Sequence, residues 1–268
     1  MFDNHMHSFL SFDSDMDLYK ACETALKKGL NGIAFTDHLD YDFPGYEDVS
    51  VIDFDKYMKY MDLLKNQYEP GLKIIKGIEV GIQPHVINKT LETVNKYEFD
   101  LIIASIHVVD GKDPYEKGFY DNLPKNKIYS RYLELILFMI NNYSNYDIVG
   151  HFDFIIRKAN YYDRSLKYAD YSDLFDAILK KIVSDGKGFE INTRSYLNRN
   201  DGKPVPVYDK NILLRYKELG GEIITLGSDS HSEEHIGYKF EDFSKLLLDS
   251  GFKYVAHYEN RKPVFTRL

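Results

Sequence analysis

The chain alternates short apolar runs with longer amphipathic stretches from end to end, and this alternation restricts its fold more than any other feature. The short runs are Phe2–Met6, Gly32–Thr36, Lys73–Ile78, Asp100–Ser105, Tyr146–Gly150, Gly188–Asn192 and Glu222–Leu226. They are rich in β-branched residues and lack strict polar–apolar alternation, as strands buried on both faces should be. Between them, Asp15–Lys28 carries Met16, Ala21, Ala25 and Leu26 at helical spacing and stops at Gly29. Similar helical segments cover roughly Asp53–Tyr68, Val86–Lys96, Lys127–Asn142, Tyr171–Asp185, Lys210–Leu219 and Phe240–Asp249. Such alternation predicts a parallel α/β fold, and the number of units favours a barrel related to the TIM architecture. A flat doubly wound sheet is the alternative, although no Gly-rich nucleotide fingerprint follows the first strand. Tyr254–Tyr258, a turn, then Pro263–Thr266 reads as a closing hairpin. No linker, composition break or repeat divides the sequence, so residues 1–268 are expected to form one domain.

Composition narrows the partners. Hydrophobic residues make up 44% of the chain, enough for a substantial core. The formal net charge of −8 argues against a nucleic-acid backbone as the main partner. It leaves room for a small phosphorylated substrate, because bound metal ions reverse the local field. The single cysteine, Cys22, rules out an intrachain disulfide and a thiolate-rich metal site; its helical spacing with Leu18, Ala25 and Leu26 makes it core filler. The N-terminus lacks a basic-then-apolar targeting pattern, and Leu133–Ile140, interrupted by Glu134, is too short to span a bilayer. A cytoplasmic protein with no membrane partner is the expectation; oligomeric state is not legible.

The position of the histidines carries the functional signal. His5 and His7 stand at the end of the first strand, and alternate strand residues share a face. Thr36-Asp37-His38 ends the second strand, Gly77-Ile78-Glu79 the third, Ser105-Ile106-His107 the fourth and Gly150-His151-Phe152-Asp153 the fifth. Ser228-Asp229-Ser230-His231 ends the seventh. Six of the nine histidines therefore terminate predicted parallel strands on the C-terminal side, where barrels assemble active sites. Histidines filling a core would scatter instead. Imidazole with carboxylate, without thiolate, suits Zn, Mn or Fe in sites with open positions, and so many ligands suit two or three divalent ions.

Together these motifs resemble the PHP (polymerase and histidinol phosphatase) family, in order and spacing along nearly the entire chain. The resemblance implies a distorted (β/α)7 barrel with a trinuclear metal centre. It implies that His5, His7, Glu79 and Asp229 hold one ion, and that Glu79 bridges to a second held by His107 and His151. A third would sit on His38, His231 and Asp13, where family members often carry His in place of Asp13. It also implies metal-dependent phosphoester hydrolysis by an activated water, with Glu79, Asp229 and His231 as the catalytic group. Within the family, Thr36–Tyr41, Gly188–Thr193 and the compact length are most like the branch acting on L-histidinol phosphate. A phosphodiesterase or nuclease, a phosphatase of another small monoester, an amidohydrolase and a non-catalytic metal module stay open. The amidohydrolase reading would want a bridging lysine where Glu79 stands.

A phosphate monoester carries about two negative charges near neutral pH, so a guanidinium is expected in the mouth. Arg157 and Arg194 lie in strand-to-helix loops on the catalytic side, with Lys158 and Tyr161 as companions. Asp40, Asp42, Glu116 and Asp153 are the candidates to meet a substrate ammonium. Asp37 and Asp153 are alternatively expected to orient histidine ligands. His85 and His235 read as caps or surface residues and His257 as structural.

Overall fold

A computed structural model describes residues 1–47 and 49–268. Seven parallel strands run in the order β1 (Phe2–Met6), β2 (Gly32–Phe35), β4 (Lys73–Gly81), β5 (Leu101–Ser105), β6 (Ile148–Val149), β7 (Gly188–Asn192) and β8 (Ile224–Gly227). The two-residue β3 (His38–Leu39) continues the line of β2 and pairs with the C-terminal half of β4, opposite Glu79 and Val80. The sheet comes round on itself. Asp229 N–H donates to the His5 carbonyl at 2.7 Å, and His7 N–H donates to the Ser230 carbonyl at 2.9 Å. Contact between β1 and the end of β8 makes this a nearly closed barrel rather than a flat doubly wound sheet.

The helices follow the strands as the periodicity predicts: α1 (Leu18–Lys27), α2 (Phe54–Tyr68), α3 (Ile87–Val94), α4 (Lys125–Asn142), α5 (Ser172–Ser184), α6 (Lys210–Glu218) and α7 (Phe240–Asp249). Asp17, Asp53 and Asp209 cap α1, α2 and α6 by accepting first-turn N–H groups. Cys22 is fully buried on the inner face of α1 with Leu18, Ala21 and Ala25, as core filler should be. Among the described residues no helix is long and apolar enough to cross a membrane.

The C-terminal residues form the antiparallel hairpin β9 (Tyr254–Glu259) and β10 (Lys262–Arg267). Its tip is tied under the barrel: Asn260 N–H donates to Asp100 Oδ1 at 3.0 Å, and the Arg261 guanidinium pairs with Asp147. His257 stacks on Phe2 at 3.6 Å, so it is structural. Tyr258 enters the barrel floor, packing with Ala34, Ile75, Leu101, Ile103 and Ile148, while its hydroxyl donates to the Asp147 carbonyl at 3.2 Å. Truncating a buried aromatic leaves a cavity that a stiff barrel cannot fill. Tyr258→Ala is expected to destabilise the fold by about 3–5 kcal/mol, measured by urea unfolding. A loss below about 1 kcal/mol, the range of an exposed site, would show that the hairpin is not part of the core.

Candidate metal centre

Every barrel strand brings its C-terminal end to one face. His5 lies in β1 and His7 one residue beyond it, so both imidazoles turn inward. Their Nε2 atoms stand only 3.0 Å apart. Two imidazole lone pairs at that distance repel unless a proton or cation lies between them, so the geometry suits a cation.

Glu79, 1% exposed in the second half of β4, stands at the middle. Its Oε2 faces His5 Nε2 at 3.2 Å, His7 Nε2 at 3.4 Å and His38 Nδ1 at 3.4 Å. Its Oε1 faces His107 Nε2 at 3.1 Å and His151 Nε2 at 2.9 Å, and accepts the Ser105 hydroxyl at 2.6 Å. One carboxylate thus spans two groups of nitrogens, as a bridging ligand must. Asp229 Oδ1 lies 3.3 Å from His7 Nε2. Asp229 itself has φ 49°, a left-handed conformation uncommon for a residue with a side chain and often found at functional sites. On the outer side, Asp13 Oδ2 lies 2.8 Å from His231 Nε2 and 3.5 Å from His38 Nε2. Three sets have donor atoms within 4.8 Å of one another and could each hold an ion: His7, Asp13, His38 and His231; His5, His7 and Asp229; His38, Glu79 and His107. His7 joining the Asp13 set and His38 joining the Glu79 set are juxtapositions that the spacing of the motifs does not reveal.

Carboxylates behind the histidines fix them. Glu190, in β7, accepts from His5 Nδ1 at 2.7 Å and from Asn192 Nδ2 at 2.8 Å. Asp40 lies 2.9 Å from His107 Nδ1 through one oxygen and 2.9 Å from His38 Nδ1 through the other. A carboxylate on Nδ1 holds the ring and leaves Nε2 to face an ion. Glycines make the room. A Cβ at Gly227 would come within 2.2 Å of Glu190 Oε2, and one at Gly81 would overlap Asp40. The sequence motifs give Glu190 no role; its one signal is a glutamate inside a buried apolar strand. Asp40, weighed for substrate ammonium, is buried and already engaged by two imidazoles. Asp37 accepts from Ser8 and Ser11 rather than touching a histidine ring.

Above the cluster opens a pocket of about 270 Å³. Phe12, Phe43, Tyr46, Tyr115 and Phe154 supply its apolar walls, and Arg157 and Arg194 line it beside Asp229 and His231. Arg157 Nη2 lies 2.7 Å from Asp229 Oδ2, and its Nε donates to Ser195 Oγ at 3.2 Å. Arg194 Nη1 reaches the Asp229 carbonyl at 2.7 Å and His231 Nδ1 at 2.8 Å. Lys158 and Tyr161 are not among the lining residues. Lys158 sits over the Tyr115 ring at 4.9 Å, whereas the Tyr161 hydroxyl donates to the Leu123 carbonyl at 2.8 Å within an aromatic cluster. Nor does the pocket include Asp42, which pairs with exposed His85, or Glu116. Asp153 is held by Ser195 and Tyr196.

Burial works against charge throughout, yet the carboxylates prevail at three histidines. Glu190, Glu79 and Asp229 hold the His5 pKa well above the ordinary imidazole value. Asp13 and Asp40 do the same for His38, and Asp40 with Glu79 raises His107 to about 10. Despite burial, Glu79 is held well below the usual carboxylate range by His5 and His107, and Asp229 by Arg157 and His5. Burial lowers His151, and it brings His231 down to about 4 with help from His7. The cluster therefore attracts positive charge, and incoming ions would have to displace protons from His5, His38 and His107.

The sequence matches the PHP domain family over residues 3–194. The chain belongs to the PHP family. This PHP chain is 36% identical to a probable histidinol-phosphatase of Clostridium acetobutylicum, across 99% of its own length and 96% of the relative's. It is 32% identical to the histidinol-phosphatase of Lactococcus lactis, across 97% and 95% of the two chains. The crystal structure of the Lactococcus lactis histidinol phosphate phosphatase, complexed with zinc, L-histidinol and phosphate, superposes with a TM-score of 0.90 at 30% identity, covering 98% of each chain.

Proposed function

We propose that this chain hydrolyses L-histidinol phosphate to L-histidinol and inorganic phosphate. The observation that carries the reading is one pocket combining a floor of converging histidines and carboxylates around Glu79 with two guanidiniums at its side. The likeness to a phosphatase crystallised with zinc, L-histidinol and phosphate gives that chemistry its substrate. We read residues 1–268 as a single phosphoesterase domain working in the cytoplasm on this small metabolite.

Two or three Zn, Mn or Fe ions would be held by His5, His7, Glu79 and Asp229, by Glu79, His107 and His151, and by Asp13, His38 and His231. When bound, such ions lower the pKa of water toward neutrality and offset charge on the transferring phosphoryl group. The protein's own groups do the rest. Arg157 and Arg194 hold the phosphate oxygens, with Arg157 kept in place by Asp229 and Ser195. Asp229, ionised across the physiological range, takes the proton of the attacking water only in passing and hands it to the histidinol oxygen as the ester P–O bond breaks, so that it ends each turnover ionised. His231, neutral and fixed between Asp13 and Arg194, keeps the mouth of the site in register. The aromatic walls exclude water and receive the flat imidazole of the substrate.

The test is phosphate release from L-histidinol phosphate by protein reconstituted with Mn or Zn, set against a panel of other phosphomonoesters and bis-nitrophenyl phosphate. A marked preference for L-histidinol phosphate supports the reading. Hydrolysis of the diester alone would replace it with a nuclease-like activity, and turnover of no ester with metal bound would make the chain a non-catalytic metal module.

A further inference from the structure

Carboxylates stand on Nδ1 of His5, His38 and His107. His7, fully buried, meets a hydroxyl there instead: Ser11 Oγ, itself buried, lies 3.3 Å from His7 Nδ1. The other contacts of that hydroxyl fix which way its hydrogen points. His38 N–H donates to Ser11 Oγ at 3.1 Å, and a backbone N–H can only donate. On the far side Asp37 Oδ1 lies 2.8 Å away. Both oxygens of that buried carboxylate already accept from Ser8, one from its N–H at 2.6 Å and the other from its hydroxyl at 2.9 Å. A hydroxyl has one hydrogen and two lone pairs. The hydrogen goes to Asp37, one lone pair takes the His38 N–H, and the other is left for His7 Nδ1. That nitrogen must then carry the ring hydrogen. The Nε2 lone pair of His7 is thereby turned toward His5 Nε2 at 3.0 Å and Asp229 Oδ1 at 3.3 Å, the gap that suits a cation.

We infer that Ser11 is a positioning residue of the metal centre: with Asp37 behind it, it forms a carboxylate–hydroxyl–imidazole relay that fixes the ring and tautomer of His7 for an ion. This rests on the metal-dependent reading above and deepens it, by giving His7 the orienting carboxylate that its own ring does not touch. Neither Ser11 nor Asp37 lines the substrate pocket. Their influence on the reaction passes through the ion that His7 holds. The same oxygen also ties the backbone of His38 to the loop after β1, so one hydroxyl sets two neighbouring ligands.

The experiment measures Mn bound per chain by mass spectrometry at a series of free Mn concentrations fixed by a chelator. It uses the wild type, Ser11→Ala, Asp37→Asn and Ser8→Ala, with circular dichroism confirming that each is folded. Ser8→Ala removes the neighbouring hydroxyl from Asp37 and leaves the relay in place, so it reports the effect of loosening the loop alone. In Ser11→Ala one binding step is expected to weaken by about 10- to 100-fold, the range for losing a partner behind a metal ligand. The step that depends on His107 and His151 should hold, because among the described residues Ser11 forms no hydrogen bond with either. Asp37→Asn, which removes the charge behind the hydroxyl, is expected to weaken the same step, and Ser8→Ala to keep the wild-type steps. Wild-type affinities in Ser11→Ala, an equal weakening in Ser8→Ala, or a loss spread over every step would overturn the relay and leave the metal reading intact. A wild type that binds no Mn would overturn both.

Discussion

Glu79→Gln is expected to lower kcat/KM on L-histidinol phosphate by at least about 10²–10³-fold and to reduce the metal content of the purified protein. The substitution is isosteric and leaves the Ser105 hydrogen bond possible, so secondary structure by circular dichroism should be unchanged. What changes is the charge at the one side chain facing five histidines: His5, His7 and His38 through one oxygen, and His107 and His151 through the other. An amide offers one acceptor oxygen where the carboxylate offers two, so it cannot serve both groups. Wild-type activity and metal content in this variant would remove Glu79 from the centre.

The second large effect is that of metal removal on stability. Ions bound only to the folded chain at about a thousand times their Kd add roughly 4 kcal/mol, which for a chain of this size corresponds to a Tm shift of about 10 °C. The shift on chelation is expected to be larger at pH 8 than at pH 6. Without metal, His107 has a folded-state pKa of about 10, above its unfolded value. Its contribution to the metal-free fold is complete below the unfolded imidazole pKa and fades as pH rises through about 10. Metal competes with that proton, so affinity rises with pH; the falling stability of the metal-free protein is the same linkage seen from the other side, and the gap is wider at pH 8. Differential scanning fluorimetry with and without EDTA at the two pH values measures it. A gap that is absent, or that widens toward acid, would contradict the ligand role of these histidines.

Much of this was legible in the sequence because strand ends are local features. His5, His7, His38, Glu79, His107, His151, Asp229 and His231 each sit at the end of an apolar run, and a parallel barrel collects such ends on one face. Asp13 comes from a loop, where only the family resemblance points to it, yet it lies beside His38 and His231. The carboxylates behind the ligands were harder to read. Glu190 looks like one polar residue in an apolar strand until β7 is seen to pass behind His5, and Asp40 looks like a loop acid until its two oxygens are seen between two imidazoles. Tyr161 shows the converse: its place after Arg157 brings it near in sequence, but its ring packs on Tyr120 and on Tyr129 of α4. Whether a loop side chain faces the pocket depends on the loop's path, which composition does not encode.

The most direct measurement is a metal titration of the chelated protein, following bound metal by mass spectrometry and phosphate release from L-histidinol phosphate in the same samples. Metal-free protein should be inactive, with turnover appearing as two to three ions bind per chain. Full turnover in metal-free protein, or none with the ions bound, would contradict a metal-dependent phosphatase built on this cluster.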